Sequence, residues 1–362
     1  MNGCETKTRL DIASLYPEEL ADFCRENGLP AYRAGQLFAF LQSGTPFEEM
    51  SSLPKTLRAL LAESCLYTLP SVKEKLVSSV DGTVKYLFRL HDGECVESVF
   101  MRYKHGNTLC ISSQVGCRMG CAFCASTIGG KVRDLLPSEL TGQIIAAEKD
   151  TGEKVSNVVM MGIGEPLDNY DNVLRFLRLV NHEKGLCIGY RHISLSTCGL
   201  VDGILRLAKE ELPITLSISL HAVTDEKRSA LMPVNRRYPI KDLLSACVSY
   251  YKTTERRISF EYTLIAGKND TEQEAIALAS LLKNAFRGTK APLHVNLIRV
   301  NEVKESGFSK PDKEGAKRFA DALNAHGVNA TVRRRLGADV NAACGQLRRQ
   351  SAKETGQKEN QE

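Results

Sequence analysis

The pattern of hydrophobic and polar positions divides the chain into parts of different character. In the first part, apolar residues recur at helical spacing in PEELADFCRENG, RAGQLFAFLQSG and SLPKTLRALLAESC. The first two of these segments end in glycine, which commonly terminates a helix. We therefore predict a small helical domain over residues 1–70.

The segment that follows is predicted to be a β-meander. VSSVDGTVKYLFRLHDGECVESVFMRY contains two Asp-Gly pairs between β-rich runs. An Asp-Gly pair flanked by such runs is a strong short-range signal for a hairpin. We predict that residues 71–102 form this meander and link the helical domain to the rest of the chain.

From residue 103 onward, strand patterns alternate with helical patterns such as SELTGQIIAAEKD and TEQEAIALASLLKNAF. The predicted strands cover residues 108–114, 157–164, 192–199, 214–221, 257–265 and 294–300. Six βα units imply parallel strands joined by right-handed crossovers, so we expect an α/β fold with a barrel or partial barrel. This core is predicted over residues 103–345, and the polar tail over 346–362 is predicted to be disordered.

Composition narrows the cellular context. The chain has 362 residues and twelve cysteines, and its start, MNGCETKTRLDIAS, lacks the apolar core of a secretory signal. We expect a cytoplasmic protein whose clustered cysteines serve metal binding or catalysis rather than disulfide scaffolding. No apolar run approaches the length of a membrane span.

Charge points only weakly to a polyanionic partner, because the net charge is +5. Its distribution is more informative. Basic runs at 236–241, 255–257, 331–337 and 347–349 are crowded into the second half of the chain. Any one of these runs is typical of solvated surface, but together they are candidates for contact with a nucleic acid.

The array VGCRMGCAFCAST places Cys117, Cys121 and Cys124 at CxxxCxxC spacing. A structural zinc site takes four ligands, usually from two paired knuckles, and no second CxxC or CxxH lies nearby. Iron–sulfur clusters used for electron transfer normally have four cysteine ligands, so three leave one iron open to a substrate. The spacing favours chemistry at iron over a partial zinc site or a loop of buried cysteines.

Other polar motifs fall at the ends of the predicted strands. GIGEP (162–166), STCG (196–199) and SLH (219–221) end the second, third and fourth strands, and Asn301 follows the sixth. Active sites of such folds gather where strands end and loops begin. Each motif alone is weak evidence, since Ser196 or His221 could be a packed polar residue, but their shared position predicts one cavity.

These motifs resemble those of the radical S-adenosylmethionine (SAM) enzymes, whose CxxxCxxC loop follows the first strand of a partial (βα)6 barrel. Within that superfamily, LCISSQVGCRMGCAFCAST, GIGEPLDNYDNV, SISLHA and ADVNAACGQLR are similar to the dual-specificity RNA methyltransferases, and the similarity extends over nearly the whole chain. There are two small departures. GIGEP stands where GMGEP is frequent, and Asn341 stands where an acidic residue is frequent.

The resemblance implies an α/β fold with a partial (βα)6 radical SAM barrel, a small N-terminal helical domain that serves as an RNA-binding accessory, and a β-meander. It also implies two cofactors, a 4Fe–4S cluster on Cys117, Cys121 and Cys124, and SAM bound at the fourth iron. The residues that match the SAM contacts of the family are Gly164, Glu165, Ser196, Ser219, Leu220, His221 and Asn301.

The resemblance further implies three catalytic residues that the sequence alone would not single out. Cys344 matches the thiolate that carries the methyl group, Cys110 matches the thiol that resolves the enzyme–RNA adduct by disulfide formation, and Glu97 matches the proton acceptor. From the sequence alone, Cys110 reads as a buried strand cysteine, Cys344 as a loop thiol, and Glu97 as a solvent-facing strand residue.

The implied reaction forms 2-methyladenosine in 23S rRNA and tRNA, with electrons from a flavodoxin-like or ferredoxin-like reductant. We expect a monomer without membrane contact. Three alternatives stay open at this stage. The chain could methylate carbon 8 of the adenine, as a related group of resistance enzymes does. It could be a zinc-stabilised RNA-binding protein without activity, or a radical SAM enzyme acting on a small molecule.

Overall fold

The computed structural model describes residues 9–67, 69–301, 307–340 and 347–348. At its amino-terminal end lies a small helical unit, as the periodicity predicts. The unit consists of helices α1 (Pro17–Glu26), α2 (Arg33–Gln42) and α3 (Lys55–Ser64), with two short parallel strands, β1 (Leu10–Asp11) and β2 (Cys65–Leu66).

Helix α2 shows how the sequence builds this unit. Its buried residues Ala34, Leu37, Phe38 and Leu41 recur at positions i, i+3, i+4 and i+7, which places them on one apolar stripe. They belong to a hydrophobic core of the helical unit, to which the rest of the chain contributes Leu179. The helical unit is therefore held together mainly by its own apolar side chains.

The meander is present, and it is part of a larger sheet. Its strands β3 (Ser71–Val77), β4 (Val84–Arg89) and β5 (Cys95–Tyr103) pair antiparallel, and β5 also pairs antiparallel with β6 (Gly106–Cys110). Both predicted Asp-Gly turns form. Asp81 accepts a hydrogen bond from the backbone N–H of Thr83 at 3.0 Å, and Asp92 from that of Glu94 at 3.1 Å.

The core is a ten-stranded sheet with a linear strand order. A separate hairpin of β7 (Gln114–Gly116) and β8 (Lys131–Asp134) follows β6, and the remaining strands are β9 (Asn157–Met160), β10 (Ile193–Thr197), β11 (Thr215–Ser219), β12 (Ile258–Leu264), β13 (His294–Arg299) and β14 (Asn329–Val332). The order is β14-β13-β12-β11-β10-β9-β6-β5-β4-β3, and the strands from β6 to β14 in this order are parallel. Among the described residues, the edge strands β14 and β3 do not pair with each other, so the sheet does not close and the barrel is partial.

Helices connect the parallel strands, as the alternating pattern predicts. They are α4 (Pro137–Thr151), α5 (Tyr170–Asn181), α6 (Val201–Ala208), α7 (Asp225–Leu231), α8 (Ile240–Thr254), α9 (Glu272–Ala285) and α10 (Lys313–Ala325). Strand β12 is buried along its whole length, as expected of a parallel strand covered on both faces. The α/β class and the partial (βα)6 barrel are therefore confirmed, and the carboxyl ends of the parallel strands meet at one edge.

Two strand predictions need correction. The strand expected at 108–114 ends at Cys110. Its pairing with β5 stops because the backbone N–H of Ser112 donates to Gln143 Oε1 at 2.9 Å, whereas Ile111 still donates to Val159 O at 3.0 Å. The last strand, β14, was not predicted, because only Ala330 of its four residues is buried and the segment carries no clear alternation.

The domain boundaries at residues 70 and 102 stay predictions, although the meander shares its sheet with the core. The predicted tail, 346–362, lies outside the described residues except for 347–348, and Cys344 also lies outside them. Within the described residues, no helix is long and apolar enough to cross a membrane.

Candidate active site

The three cysteines lie in the loop between β7 and β8, which the hairpin closes at its base. The backbone N–H of Cys117 donates to Gly130 O at 3.0 Å. Gly116 has a φ of +79°, and a Cβ added there would lie 2.0 Å from that same carbonyl oxygen. Glycine is therefore required at position 116 both for the backbone conformation and for the close approach of the two strands.

A polar network anchors this cysteine loop to the end of β9. Asp168 accepts hydrogen bonds from Gln114 Nε2 at 2.9 Å, from Lys131 Nζ at 3.0 Å and from Arg118. Burial opposes ionisation of Asp168, but these donors lower its pKa below the ordinary value. Gln114 Oε1 also accepts from the backbone N–H of Glu165 at 2.9 Å, so the loop and the GIGEP segment are held together.

The thiols of the loop are suited to a cationic metal group. Burial raises the pKa of Cys117 to about 12, with the neighbouring Cys124 adding to the effect, and burial raises the pKa of Cys121 as well. Three thiolates brought this close repel one another unless positive charge is bound between them. The donor set therefore fits an iron–sulfur cluster, whose irons would supply that charge.

The same thiols do not form a site for a single ion. Within the described parts of the chain, no group of three or more His, Cys, Asp or Glu side chains converges on a point that could hold one metal ion. A cluster binds each thiolate to a different iron, so it does not need such convergence.

Gly164 and Glu165 lie at the end of β9 against the cysteine loop. Gly164 has a φ of +108°, and a Cβ there would approach the backbone N of Gln114 to 2.7 Å. The Glu165 carboxylate is buried, which raises its pKa, and it accepts from the backbone N–H groups of Leu167 at 3.0 Å and Cys198 at 2.7 Å. Its side chain therefore joins the ends of β9 and β10.

His221 follows β11 in a left-handed conformation, with a φ of +58°. Burial, with a contribution from Arg228, lowers its pKa to about 3, so the ring is neutral near pH 7. Its Nδ1 accepts the backbone N–H of Thr263 at 2.9 Å, which assigns the ring proton to Nε2. The ring also packs edge-on against Phe123 of the cysteine loop, 4.9 Å between centroids.

These strand ends surround one cavity of about 360 Å³, within the roughly 300–1,000 Å³ range of small-molecule sites. The predicted residues that line it are Cys110, Cys117, Cys121, Cys124, Gly164, Glu165, Ser196, Ser219, His221 and Asn301. The sequence-based expectation that the strand-end motifs face one cavity is therefore confirmed. Leu220, whose side chain is fully buried in the main core, and Glu97 are not among the residues that line the cavity.

Cys110 and Glu97 lie on the same face of the sheet. Cys110 pairs with Val99 of β5, and both line the cavity. Glu97 precedes Val99 by two residues, so it points to the same side of β5. Its carboxylate is fully buried, 3.2 Å from Lys85 Nζ, and it accepts the backbone N–H of Arg348 at 2.8 Å. Glu97 is thus an interior residue and not the solvent-facing one that its sequence context suggests.

Several residues that line the cavity were not among the site residues expected from the sequence. The rim of the cavity includes Arg299, Lys310 and the three arginines 333–335, of which the last three belong to a basic run noted above. Glu261 lies deeper, buried on β12, where its carboxylate accepts from Ser259 and Asn296. The sequence feature that could have identified Glu261 as a site residue is its position as an acidic residue inside the predicted strand SFEYTL.

Comparison with known proteins agrees with this geometry. Residues 111–279 match the radical SAM superfamily. The chain is 50% identical to a probable dual-specificity RNA methyltransferase RlmN of Clostridium perfringens, over 94% of this chain and 97% of the relative. It is 48% identical to the corresponding protein of Desulforamulus reducens, over 94% and 96%.

A solved structure supports the same assignment. The crystal structure of a radical SAM methyltransferase from Sphaerobacter thermophilus superposes with a TM-score of 0.87 at 42% identity, covering 93% of this chain and 98% of that one. Relatives of about 50% identity that match over nearly their full length establish a family. The chain belongs to the RlmN family of dual-specificity RNA methyltransferases, within the radical SAM superfamily.

Proposed function

We propose that the protein methylates carbon 2 of an adenine in 23S rRNA and in tRNA, with Cys344 as the carrier of the methyl group. The observation that carries the proposal is that Cys110 lines the same cavity as the three cysteines of the loop and lies on the sheet face of Glu97. Cys198 also lines this cavity, but it packs in a small apolar cluster beside Cys121. A radical SAM enzyme that acts directly on a small molecule has no need of a further thiol there. A reaction that ends by thiol exchange requires one.

The cofactors have identifiable positions in this proposal. Cys117, Cys121 and Cys124 would hold a 4Fe–4S cluster, and SAM would contact Gly164, Glu165, Ser196, Ser219, His221 and Asn301, all of which line the cavity. The Glu165 carboxylate accepts two backbone N–H groups, one on each oxygen, and retains further acceptor capacity, so Gly164 and Glu165 would together receive the SAM ammonium. When bound, cluster and SAM together supply a methyl group and a one-electron cleavage that abstracts hydrogen.

The chain itself would perform the remaining steps. The Cys344 thiolate takes a methyl group and becomes a thioether, loses one hydrogen atom from that methyl, and forms a carbon–carbon bond to carbon 2 of the adenine. Glu97 then accepts the proton that carbon 2 gives up, while the surplus electron returns to the redox partner. A carboxylate held close to the base is suited to this transfer.

Release of the RNA would follow by thiol–disulfide chemistry. The Cys110 thiolate attacks the sulfur of Cys344, a disulfide forms, and the bond between that sulfur and the methylene carbon breaks. The carbon keeps the electron pair and takes up a proton, which leaves a methyl group on carbon 2. The disulfide is then reduced by an external thiol before the next turnover.

The rim of the cavity fits an RNA substrate. Arg333, Arg334 and Arg335 are exposed beside the cavity, and Arg299 and Lys310 lie nearby. A base must leave its stack to enter such a cavity, which is easiest in loops and single strands. Cations at the rim would hold the flanking phosphates, so RNA affinity should fall steeply with salt, and Arg334→Gln should reduce the salt slope by about 0.7.

The experiment is an assay with anaerobically reconstituted protein, SAM, a one-electron reductant and a 23S rRNA fragment, followed by mass spectrometry of the digested nucleosides. We expect 2-methyladenosine with the wild-type chain and none with Cys344→Ala. Finding 8-methyladenosine would reject the carbon-2 assignment. Unmodified RNA together with 5′-deoxyadenosine would reject the substrate while retaining the radical chemistry.

A further inference from the structure

Arg228 of α7 is a fully buried arginine with no role in the reaction described above. Its guanidinium donates to Leu220 O from Nε at 3.1 Å, to Asn235 Oδ1 from Nη1 at 2.9 Å, and from Nη2 to Cys198 O at 2.7 Å and Ser219 O at 3.1 Å. Every one of these acceptors is an uncharged carbonyl or amide oxygen. A single side chain therefore binds the carboxyl ends of two neighbouring strands, β10 and β11.

The helix that carries Arg228 also contacts the cysteine loop. The carbonyl of Leu231, at the end of α7, accepts the backbone N–H of Ala122 at 2.9 Å. Leu231 and Met232 belong to a small apolar cluster against which Cys121 packs. The segment from Arg228 to Met232 thus joins the cysteine loop to the two strand ends that carry the proposed SAM contacts.

Among the residues that the structure describes, no carboxylate contacts the guanidinium of Arg228 directly. Asp225 is connected to the guanidinium through Asn235, whose Nδ2 donates to Asp225 Oδ1 at 3.0 Å. Burying a cation is costly unless an opposite charge compensates it. A cluster held by three thiolates is anionic, and it gains a further negative charge on reduction, so it can provide this compensation.

We propose that Arg228 is a positioning residue for the cofactor site, with two effects. Its hydrogen bonds hold the backbone at Ser219 and Leu220 in the shape that SAM contacts, and its positive charge stabilises the reduced cluster. The inference rests on the proposed function only in assigning the cluster to the cysteine loop and SAM to the strand ends. It does not depend on which RNA atom is methylated.

Two substitutions separate the effects. Arg228→Met removes the charge and the hydrogen bonds, whereas Arg228→Lys keeps the charge but lacks the planar fork that serves several acceptors. Arg206→Met is the matched control, because Arg206 is an exposed arginine of α6 paired with Asp171. Each variant is loaded anaerobically and checked for iron and sulfide content and for secondary structure by circular dichroism. The midpoint potential is then measured by redox titration followed by electron paramagnetic resonance, and SAM binding by equilibrium dialysis.

We expect Arg228→Met to weaken SAM binding at least about tenfold, the loss expected for hydrogen bonds from a charged donor. At a fixed potential, its ratio of reduced to oxidised cluster should fall about tenfold, which corresponds to a midpoint about 59 mV lower. Arg228→Lys should weaken SAM binding and keep the wild-type midpoint. Arg206→Met should match the wild type in both measurements.

A loaded Arg228→Met protein with wild-type SAM affinity and midpoint would overturn the proposal. If that variant does not load, Arg228→Lys decides the positioning effect: wild-type SAM affinity in the lysine variant contradicts it, and weakened affinity supports it. Neither readout uses RNA. A failure to methylate RNA would therefore reject the proposed function while leaving these two measurements to judge Arg228 independently.

Discussion

Substitution of Gly116 by alanine is expected to disable the cysteine loop, and the structure indicates by how much. The residue has a φ of +79°, and the added Cβ would lie 2.0 Å from Gly130 O and 3.1 Å from Gly130 C. The left-handed conformation costs a non-glycine residue about 1–2 kcal/mol. The contact with Gly130 O is far inside van der Waals distance and involves backbone, so the two strands of the hairpin must separate.

Separation of the strands breaks the hydrogen bond from the Cys117 N–H to Gly130 O, which is 3.0 Å long. A hydrogen bond of this kind contributes about 0.5–1.5 kcal/mol. Together the two effects amount to about 1.5–3.5 kcal/mol, or roughly 10–400-fold in the population of the closed loop. Because Cys117 is the first cysteine of the array, we expect a corresponding loss of affinity for iron and sulfide.

Gly130→Ala is the matched control for Gly116→Ala. Gly130 has a φ of +71°, but a Cβ there would meet nothing within 4 Å, so the substitution carries the conformational cost without the clash. The assay is iron and sulfide bound per chain after anaerobic reconstitution with limiting iron. We expect the order wild type, Gly130→Ala, Gly116→Ala. Equal loading of the two variants would refute the role assigned to the close approach.

Three further predictions follow from other parts of the chain. Cys110→Ser should accumulate a covalent enzyme–RNA adduct, seen as a retarded band on a denaturing gel, and the adduct should vanish when Cys344→Ala is added. Lys85→Met removes the ammonium group that lies beside the buried Glu97 carboxylate, so it should lower the free energy of unfolding by about 3–5 kcal/mol. The double variant Lys85→Met/Glu97→Leu should recover most of this loss. A Lys85→Met protein as stable as the wild type would contradict the contribution of the buried pair. Burial, with Arg257 adding to it, lowers the pKa of His294 from 6.5 to about 4. The unfolded chain therefore binds a proton between pH 6.5 and 4 that the folded chain does not. The contribution of His294 to the free energy of unfolding is complete above pH 6.5. As the pH decreases from 6.5 to 4, this contribution decreases by up to about 1.4 kcal/mol per pH unit. His294→Gln should make the acid limb of a plot of melting temperature against pH shallower, and an unchanged limb would exclude His294 as its source.

Local patterns predicted much of the fold. The Asp-Gly pairs produce their turns because an aspartate side chain can accept the N–H two residues on, which involves no distant residue. The predicted strands of the barrel appear within a few residues of their expected positions, since buried parallel strands need apolar runs wherever they pair. Strand β14 was missed because its partner β13, rather than its own composition, holds it in the sheet.

Some positions of the candidate site could likewise be predicted from local sequence, and others could not. The positions of Gly164, Ser196, Ser219 and Asn301 at strand ends could be predicted, because parallel strands bring their carboxyl ends to one edge. The interior position of Glu97 could not be predicted, since its neutralising partner, Lys85, lies on another strand. A lone acidic residue in a strand reads as solvent-facing until the partner is known.

The sequence by itself determined the alternation of strands and helices, the three cysteines in one short loop and the polar motifs at strand ends, because periodicity, spacing and turn chemistry are properties of neighbouring residues. Tertiary structure alone decided which distant groups meet. It closed the hairpin through Gly116 and Gly130 and paired Lys85 with Glu97. It also brought the guanidinium of Arg228 to carbonyls of two strands. Burial and hydrogen bonding depend on the complete packing around a group, and no short segment of sequence contains that information.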